Sequence, residues 1–206
     1  MLSSRKKRFS RLLYPFAKAL EKMHLSPNAV TALGFFLTML VAPSIILANY
    51  ILAGILVFAA GFCDVLDGAL ARMTNRVTAL GGFIDSVLDR YSDAIILLAM
   101  VFAGLCNVVW GFIALVGSLL VSYSRARVEA YGVKHFVVGF AERPIRLLLL
   151  GFALLLESWF PRTVNYSVIA LAILTHLTVL QRAISAKDVL TAGNKQAKPR
   201  SDRRRS

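Results

Sequence analysis

Asp64, Asp67, Asp85 and Asp89 stand in a stretch that is otherwise strongly apolar. Asp64 and Asp67 are three residues apart, and Asp85 and Asp89 four, so each pair shares one face of a helix. The chain holds eleven Asp and Glu, and five of them, counting Asp93, fall between residues 64 and 93. Acids at membrane depth are costly and mark a functional site, and four unpaired buried anions would be prohibitive. One or two divalent cations held between two facing helices resolve the conflict. Ligands that are all oxygen suit a hard ion, Mg²⁺ or Mn²⁺ before Ca²⁺, and no Cys/His set has zinc-like spacing. Mg²⁺ bound in this way handles phosphates by bridging their oxygens. Arg72 extends from the same region as a partner for phosphate or base. Small residues at Gly68, Ala71 and Gly81 let two helix backbones approach closely. Structural ion pairing with Arg72 or Arg90 would account for a single Asp better than for four in helical register. These residues argue for a membrane enzyme acting on a phosphorylated, lipid-linked substrate.

The elements that position them are membrane helices. The chain has 206 residues, 57% of them hydrophobic and only 17% charged, and a mean hydropathy of +0.66; a soluble domain carries about 25% charged residues. The fold class expected is an all-α membrane protein with six transmembrane helices and an N-terminal amphipathic juxtamembrane helix. Spans are expected at 28–48, 51–72, 80–104, 107–127, 144–160 and 163–184, each near the ~20 residues a bilayer requires. Ser26 is the expected N-cap of the first span, with Pro27 at its first position. Pro43 is expected to kink it. Residues 1–25 form a basic interfacial segment, with Phe9, Leu12, Leu13, Phe16 and Leu20 at near-helical spacing. Residues 26–185 make the six-helix domain, and 186–206 a basic, disordered tail. The start lacks the apolar core and cleavage site of a secretory signal, so none is expected.

Charge sets the orientation. The net charge is +13, with seven Lys or Arg in residues 1–24 and eight in 182–206. The second and fourth loops are basic, through Arg72, Arg76, Arg125, Arg127, Lys134, Arg143 and Arg146, whereas the others are nearly uncharged. The positive-inside rule then puts both termini and the aspartate end on the cytoplasmic side of the cell membrane. The basic ends face anionic lipid, and no nucleic-acid partner is expected. Cys63 and Cys106 read as small buried residues without a disulfide framework.

The string Asp64-x-x-Asp67-Gly68-x-x-Ala71-Arg72-x8-Gly81-x3-Asp85-x3-Asp89 resembles the complete signature of the CDP-alcohol phosphotransferase family. The resemblance runs over roughly residues 25–185. It implies two metal ions between the aspartates, gripping the diphosphate of a CDP-lipid donor. A hydroxyl of an acceptor alcohol attacks the phosphorus on the lipid side, and CMP leaves. By the same resemblance Asp64, Asp67 and Asp85 are metal ligands, and Asp89 is the general base with a share in metal binding. Pro27, Asn28, Ala29, Val30, Gly68, Arg72 and Thr78 correspond to donor-binding positions. A homodimer is also implied.

A second basic set points to the acceptor. Arg125, Arg146 and Arg182 end three separate spans that could converge beside the aspartates, and Arg clusters bind phosphate bidentately. Arg125 with Glu129 and Glu142 with Arg146 are i,i+4 pairs, and Arg143 shares a face with Arg146. The strings Ser122-Tyr-x-basic-Ala-Arg-x-Glu129 and Glu142-Arg-Pro-x-Arg146 resemble the phosphatidylinositol-phosphate synthase and archaetidylinositol-phosphate synthase branch, which implies inositol phosphate as acceptor. Glycerol phosphate or another alcohol is the alternative within the class, and the donor lipid is either diacyl or archaeal ether. From other classes, a divalent-cation transporter fits the acidic cluster but leaves Arg72 unexplained, and a silent scaffold leaves the aspartates unexplained. His24, His135 and His176 are isolated and are read as headgroup, loop and span residues. Trp110 and Trp159 are read as interfacial belt residues. Asp93, one turn past Asp89, either orients a neighbouring ligand or pairs with Arg90.

Overall fold

The computed structural model describes residues 13–133 and 139–196, without the side chains of 192–196. The expectations for residues 1–12, Lys134, His135 and 197–206 lie outside the described residues. The elements are α1 (residues 13–22), then α2 (Pro27–Ile46), α3 (Tyr50–Met73), α4 (Ala79–Phe102), α5 (Val108–Ala130), α6 (Arg143–Glu157) and α7 (Thr163–Gln196). No strand occurs among the described residues.

Short polar side chains start the helices. Ser26 Oγ accepts from the N–H of Ala29, with Pro27 at the head of α2. Asn49 accepts from Leu52, Thr78 from Gly81 and Asn107 from Val109. Each bond satisfies a backbone donor that the first turn leaves orphaned. Left-handed residues turn the chain between helices: Asn75 (φ 54°) follows α3, and Gly104 (φ 69°) follows α4. Glu157, buried at the end of α6, accepts from the N–H of Arg162 at 2.8 Å and of Val164 at 2.7 Å. It thereby ties the end of α6 to the start of α7.

The chain is a multi-pass membrane protein. Among the described residues, four helices are long and apolar enough to cross a bilayer: α2, α3, α5 and Thr163–Thr191 of α7. The other two expected spans depart from that pattern for identifiable reasons. Helix α4 is long enough but carries Asp85, Asp89, Arg90 and Asp93. Helix α6 has 15 residues, about 22 Å of helix against a hydrocarbon core of about 30 Å. It ends at Glu157, not at the expected residue 160. The expected tail also needs correction, because α7 continues as helix to Gln196. Residues 185–196 lack Pro, and half of them, among them Ala186, Lys187 and Leu190, are good helix formers, so no Pro stops the helix at 184.

Helix α2 packs along α3 and α4, α3 along α6, and α5 along α7. The main core joins them through Val41, Val57, Leu97, Met100, Leu154 and Leu171. A smaller cluster of Leu13, Val30, Cys63, Leu66 and Leu70 fastens α1 to α2 and α3. Gly34 sets the α2–α3 spacing: a Cβ there would lie 3.0 Å from Cys63 Cβ. That close approach brings α2 up against the acidic face of α3.

Candidate active site

The helix register of α3 and α4 brings the acids together. Asp64, Asp67 and Asp85 each offer a carboxylate oxygen, and these oxygens lie within 4.8 Å of one another. Asp67 is buried, and its Oδ2 accepts a hydrogen bond of 2.6 Å from Thr31 Oγ1 on α2. Asp85 Oδ1 is buried and has no hydrogen-bond partner among the described residues. Three converging carboxylates, one with an unpartnered buried oxygen, fit a hard divalent cation by donor type and by charge.

Asp89, also expected among the ligands, stands apart from this group. Its Oδ1 is 2.7 Å from Nη1 of Arg143, which is itself 2.5 Å from Asp64 Oδ1. Arg143 Nε lies 3.9 Å from Asp93 Oδ1. These are ion-pair contacts without hydrogen-bond alignment, since neither Nη1 nor Nε of Arg143 meets hydrogen-bond geometry. Asp93 is paired with Arg146 and not with Arg90: Arg146 Nη2 donates to Asp93 Oδ2 at 2.5 Å, and its Nη1 to the Ala141 carbonyl at 3.0 Å. Arg90 instead donates to the Ser86 carbonyl one turn back.

On one side of the acids lies a cavity of about 280 Å³, lined by Pro27, Asn28, Thr31, Gly68, Arg72 and Thr78 together with Asp67 and Asp85. Five of the seven positions expected at the donor are therefore on its wall. Ala29 and Val30 are not. The N–H of Ala29 is taken by the Ser26 cap, and Val30 is 2% exposed within the small apolar cluster. Asn28 and Thr31 share a face of α2, whereas Val30 is rotated about 200° from Asn28 and points into the packing. The absence of a side chain at Gly68 leaves room for Arg72, whose Nη1 would lie 3.2 Å from a Cβ at that position.

On the other side is a cavity of about 360 Å³. Arg125 from α5, Arg146 from α6 and Arg182 from α7 all line it, with Asp89, Glu129, Glu142 and Arg143. The three guanidinium groups expected to converge do so, but they are not equivalent. Arg146 and Arg182 are each 2% exposed. Arg182 donates to the Val121 carbonyl, which anchors it to α5. Arg125 is held by Glu129 at 3.0 Å and is the most exposed of the three. The Asp64–Asp67–Asp85 group and Asp89 line the narrow gap of about 20 Å³ near both cavities, and Arg143 stands in that gap.

Two residues at the centre escape a reading of local spacing. Thr31 is one turn beyond Pro27 on the face that carries Asn28, and that phase was the available signal. Arg143 shares a face with Arg146, but its approach to Asp64 and Asp89 depends on how α6 packs across α3.

The family model described as CDP-alcohol phosphatidyltransferase matches residues 24–180. The archaetidylinositol phosphate synthase of Pyrococcus horikoshii is 39% identical over 193 residues, covering 94% of this chain and all of that protein. The crystal structure of Mycobacterium tuberculosis phosphatidylinositol phosphate synthase with CDP-DAG bound has a TM-score of 0.75 and 27% identity, over 85% of this chain and 94% of that one. The same enzyme in complex with manganese and citrate gives a TM-score of 0.74 and 28% identity, over 85% and 88%. A manganese-bound neighbour accords with a divalent-metal site at the acidic group. Family members use a CDP-lipid donor and an alcohol acceptor. The chain belongs to the CDP-alcohol phosphatidyltransferase family.

Proposed function

We propose that this protein transfers a lipid phosphate group from a CDP-lipid to inositol phosphate and releases CMP. The observation that carries this reading is the pair of cavities flanking one carboxylate group, the second of them walled by Arg125, Arg146 and Arg182. A wall of guanidinium groups suits an acceptor that carries its own phosphate. The name of the Pyrococcus relative supports inositol phosphate as that acceptor and an ether-linked archaeal lipid as donor.

In this reading Asp64, Asp67 and Asp85 hold Mg²⁺. Bound metal supplies charge neutralisation at the diphosphate. Pro27, Asn28, Gly68, Arg72 and Thr78 seat the nucleotide. Arg125, Arg146 and Arg182 seat the acceptor phosphate. Asp89, on the wall of the acceptor cavity, takes the proton of the attacking hydroxyl. The hydroxyl oxygen forms a bond to the phosphorus on the lipid side, the bond from that phosphorus to the CMP oxygen breaks, and CMP leaves. Arg143, between Asp64 and Asp89, holds the two acids in register.

Helices α4 and α6 complete a six-span bundle, because their charged residues line the site and need not meet lipid. The basic loops support a cytoplasmic position for the site. Two copies associate through apolar helix faces exposed in the single chain. A cation-transport reading is disfavoured by Arg143 in the gap beside the acids. The test is an acceptor panel: purified protein, CDP-lipid and Mg²⁺ with labelled inositol phosphate, glycerol phosphate or serine. Label in lipid is expected with inositol phosphate. Label in lipid with glycerol phosphate or serine alone would refute the acceptor, and no CMP release with any acceptor would refute the reaction.

A further inference from the structure

Glu142 is the N-cap residue of α6, yet its side chain makes no capping hydrogen bond. It lines the cationic cavity instead, beside Arg125, Arg143 and Arg182. Its Oε1 is buried and accepts no hydrogen bond among the described residues. Arg182 Nη2 forms an ion pair with it at 3.8 Å, beyond hydrogen-bond reach, and the Glu142 side chain as a whole is 35% exposed. The other glutamate of the cavity differs, since Glu129 accepts from Arg125 Nε at 3.0 Å. A buried carboxylate oxygen without a donor is costly, and in a native structure it needs an explanation.

The chemistry of the wall narrows the explanation. Phosphate oxygens are acceptors and pair with guanidinium groups; they gain nothing from a carboxylate. A carboxylate accepts only, so its natural partner in a ligand is a hydroxyl. A cavity with cations on one part of its wall and, on another, a carboxylate oxygen that accepts no hydrogen bond among the described residues suits a molecule carrying both a phosphate and free hydroxyls. We infer that Glu142 is a specificity-determining residue, which accepts a hydrogen bond from a non-reacting hydroxyl of a phosphorylated polyol acceptor. The attacking hydroxyl belongs beside Asp89, on another part of the same wall. Arginines alone would hold inorganic phosphate as well as a polyol phosphate; Glu142 favours the polyol. This rests on the proposed phosphorylated acceptor and adds the group that reads its hydroxyls.

The test is the acceptor KM and the inhibition constant of inorganic phosphate for the full chain, in wild type, Glu142→Gln and Glu142→Ala. A hydrogen bond to a charged group corresponds to a loss of about tenfold or more. KM for inositol phosphate is therefore expected to rise by at least about tenfold in Glu142→Ala and by less in Glu142→Gln. kcat and the KM for CDP-lipid stay near wild type, and inhibition by inorganic phosphate is unchanged or tighter. An unchanged acceptor KM overturns the inference. Equal weakening of inositol phosphate and inorganic phosphate also overturns it, because Glu142 would then act only by positioning Arg182. If Glu142→Ala does not fold, the near-isosteric Glu142→Gln decides by the same contrast. If wild type uses glycerol phosphate and not inositol phosphate, the inositol reading falls, and the contrast measured on glycerol phosphate decides the role of Glu142.

Discussion

Arg143 Nη1 lies 2.7 Å from Asp89 Oδ1 and also 2.5 Å from Asp64 Oδ1, so one guanidinium bridges acids from α3 and α4. The Arg143 side chain is only 16% exposed. Removing one partner of a largely buried ion pair leaves uncompensated charge, which costs about 3 kcal/mol or more. Arg143→Ala should therefore lower the melting temperature in EDTA. Mg²⁺ should restore more stability to the variant than it adds to wild type, because a ligand that binds only the folded state stabilises it. Thermal melts across a Mg²⁺ series check this; equal Mg²⁺ responses would remove Arg143 from the charge balance of the site.

Thr31 donates to Asp67 across the α2–α3 interface at 2.6 Å. Residues that orient a metal ligand typically affect metal affinity about 10–100-fold. Thr31→Val should raise the Mg²⁺ concentration for half-maximal activity within that range, with a smaller change in kcat at saturating Mg²⁺. Activity titrated against Mg²⁺ gives the answer directly.

Arg125 and Arg146 are expected to fail in different ways. Arg125 is partly exposed and pairs with Glu129, which is also partly exposed, so Arg125→Ala should raise the acceptor KM with little loss of stability. Arg146 is buried and bonded to buried Asp93 at 2.5 Å. Arg146→Ala should cost about 3–5 kcal/mol by stranding that carboxylate. Denaturant melts beside acceptor kinetics separate the two outcomes.

Val30 tests the correction at the donor. It packs with Leu13, Cys63, Leu66 and Leu70 and is 2% exposed. Val30→Ala should destabilise by about 1–3 kcal/mol while leaving the KM for CDP-lipid unchanged. Asn28→Ala, on the cavity wall, should show the reverse.

Much of the architecture is legible in single residues. Ser26 marks the start of α2 because a short polar side chain can satisfy an orphaned N–H, and the starts of α2 to α5 fall within a residue of the expected ones. The aspartates stand out because charge is rare in apolar spans. What is less legible depends on packing between distant segments. Arg143 reaches Asp64 only because α6 crosses α3, and no local spacing encodes that. Val30 is close in sequence to the cavity-lining Pro27 and Asn28, but helix phase turns it to the opposite face. Hydropathy ends near residue 184, whereas the helix runs on to Gln196.

The central claim is that the acid cluster catalyses attack on a CDP-lipid, with Asp89 taking the proton. The most direct measurement is inositol-phosphate-dependent CMP release from CDP-lipid, comparing wild type with Asp89→Asn at saturating Mg²⁺. General-base catalysis contributes about 10²–10⁴-fold, so Asp89→Asn should lose at least about a hundredfold in kcat while it stays folded at the assay temperature and still binds CDP-lipid. CMP release by the folded Asp89→Asn variant at the wild-type rate would contradict the account.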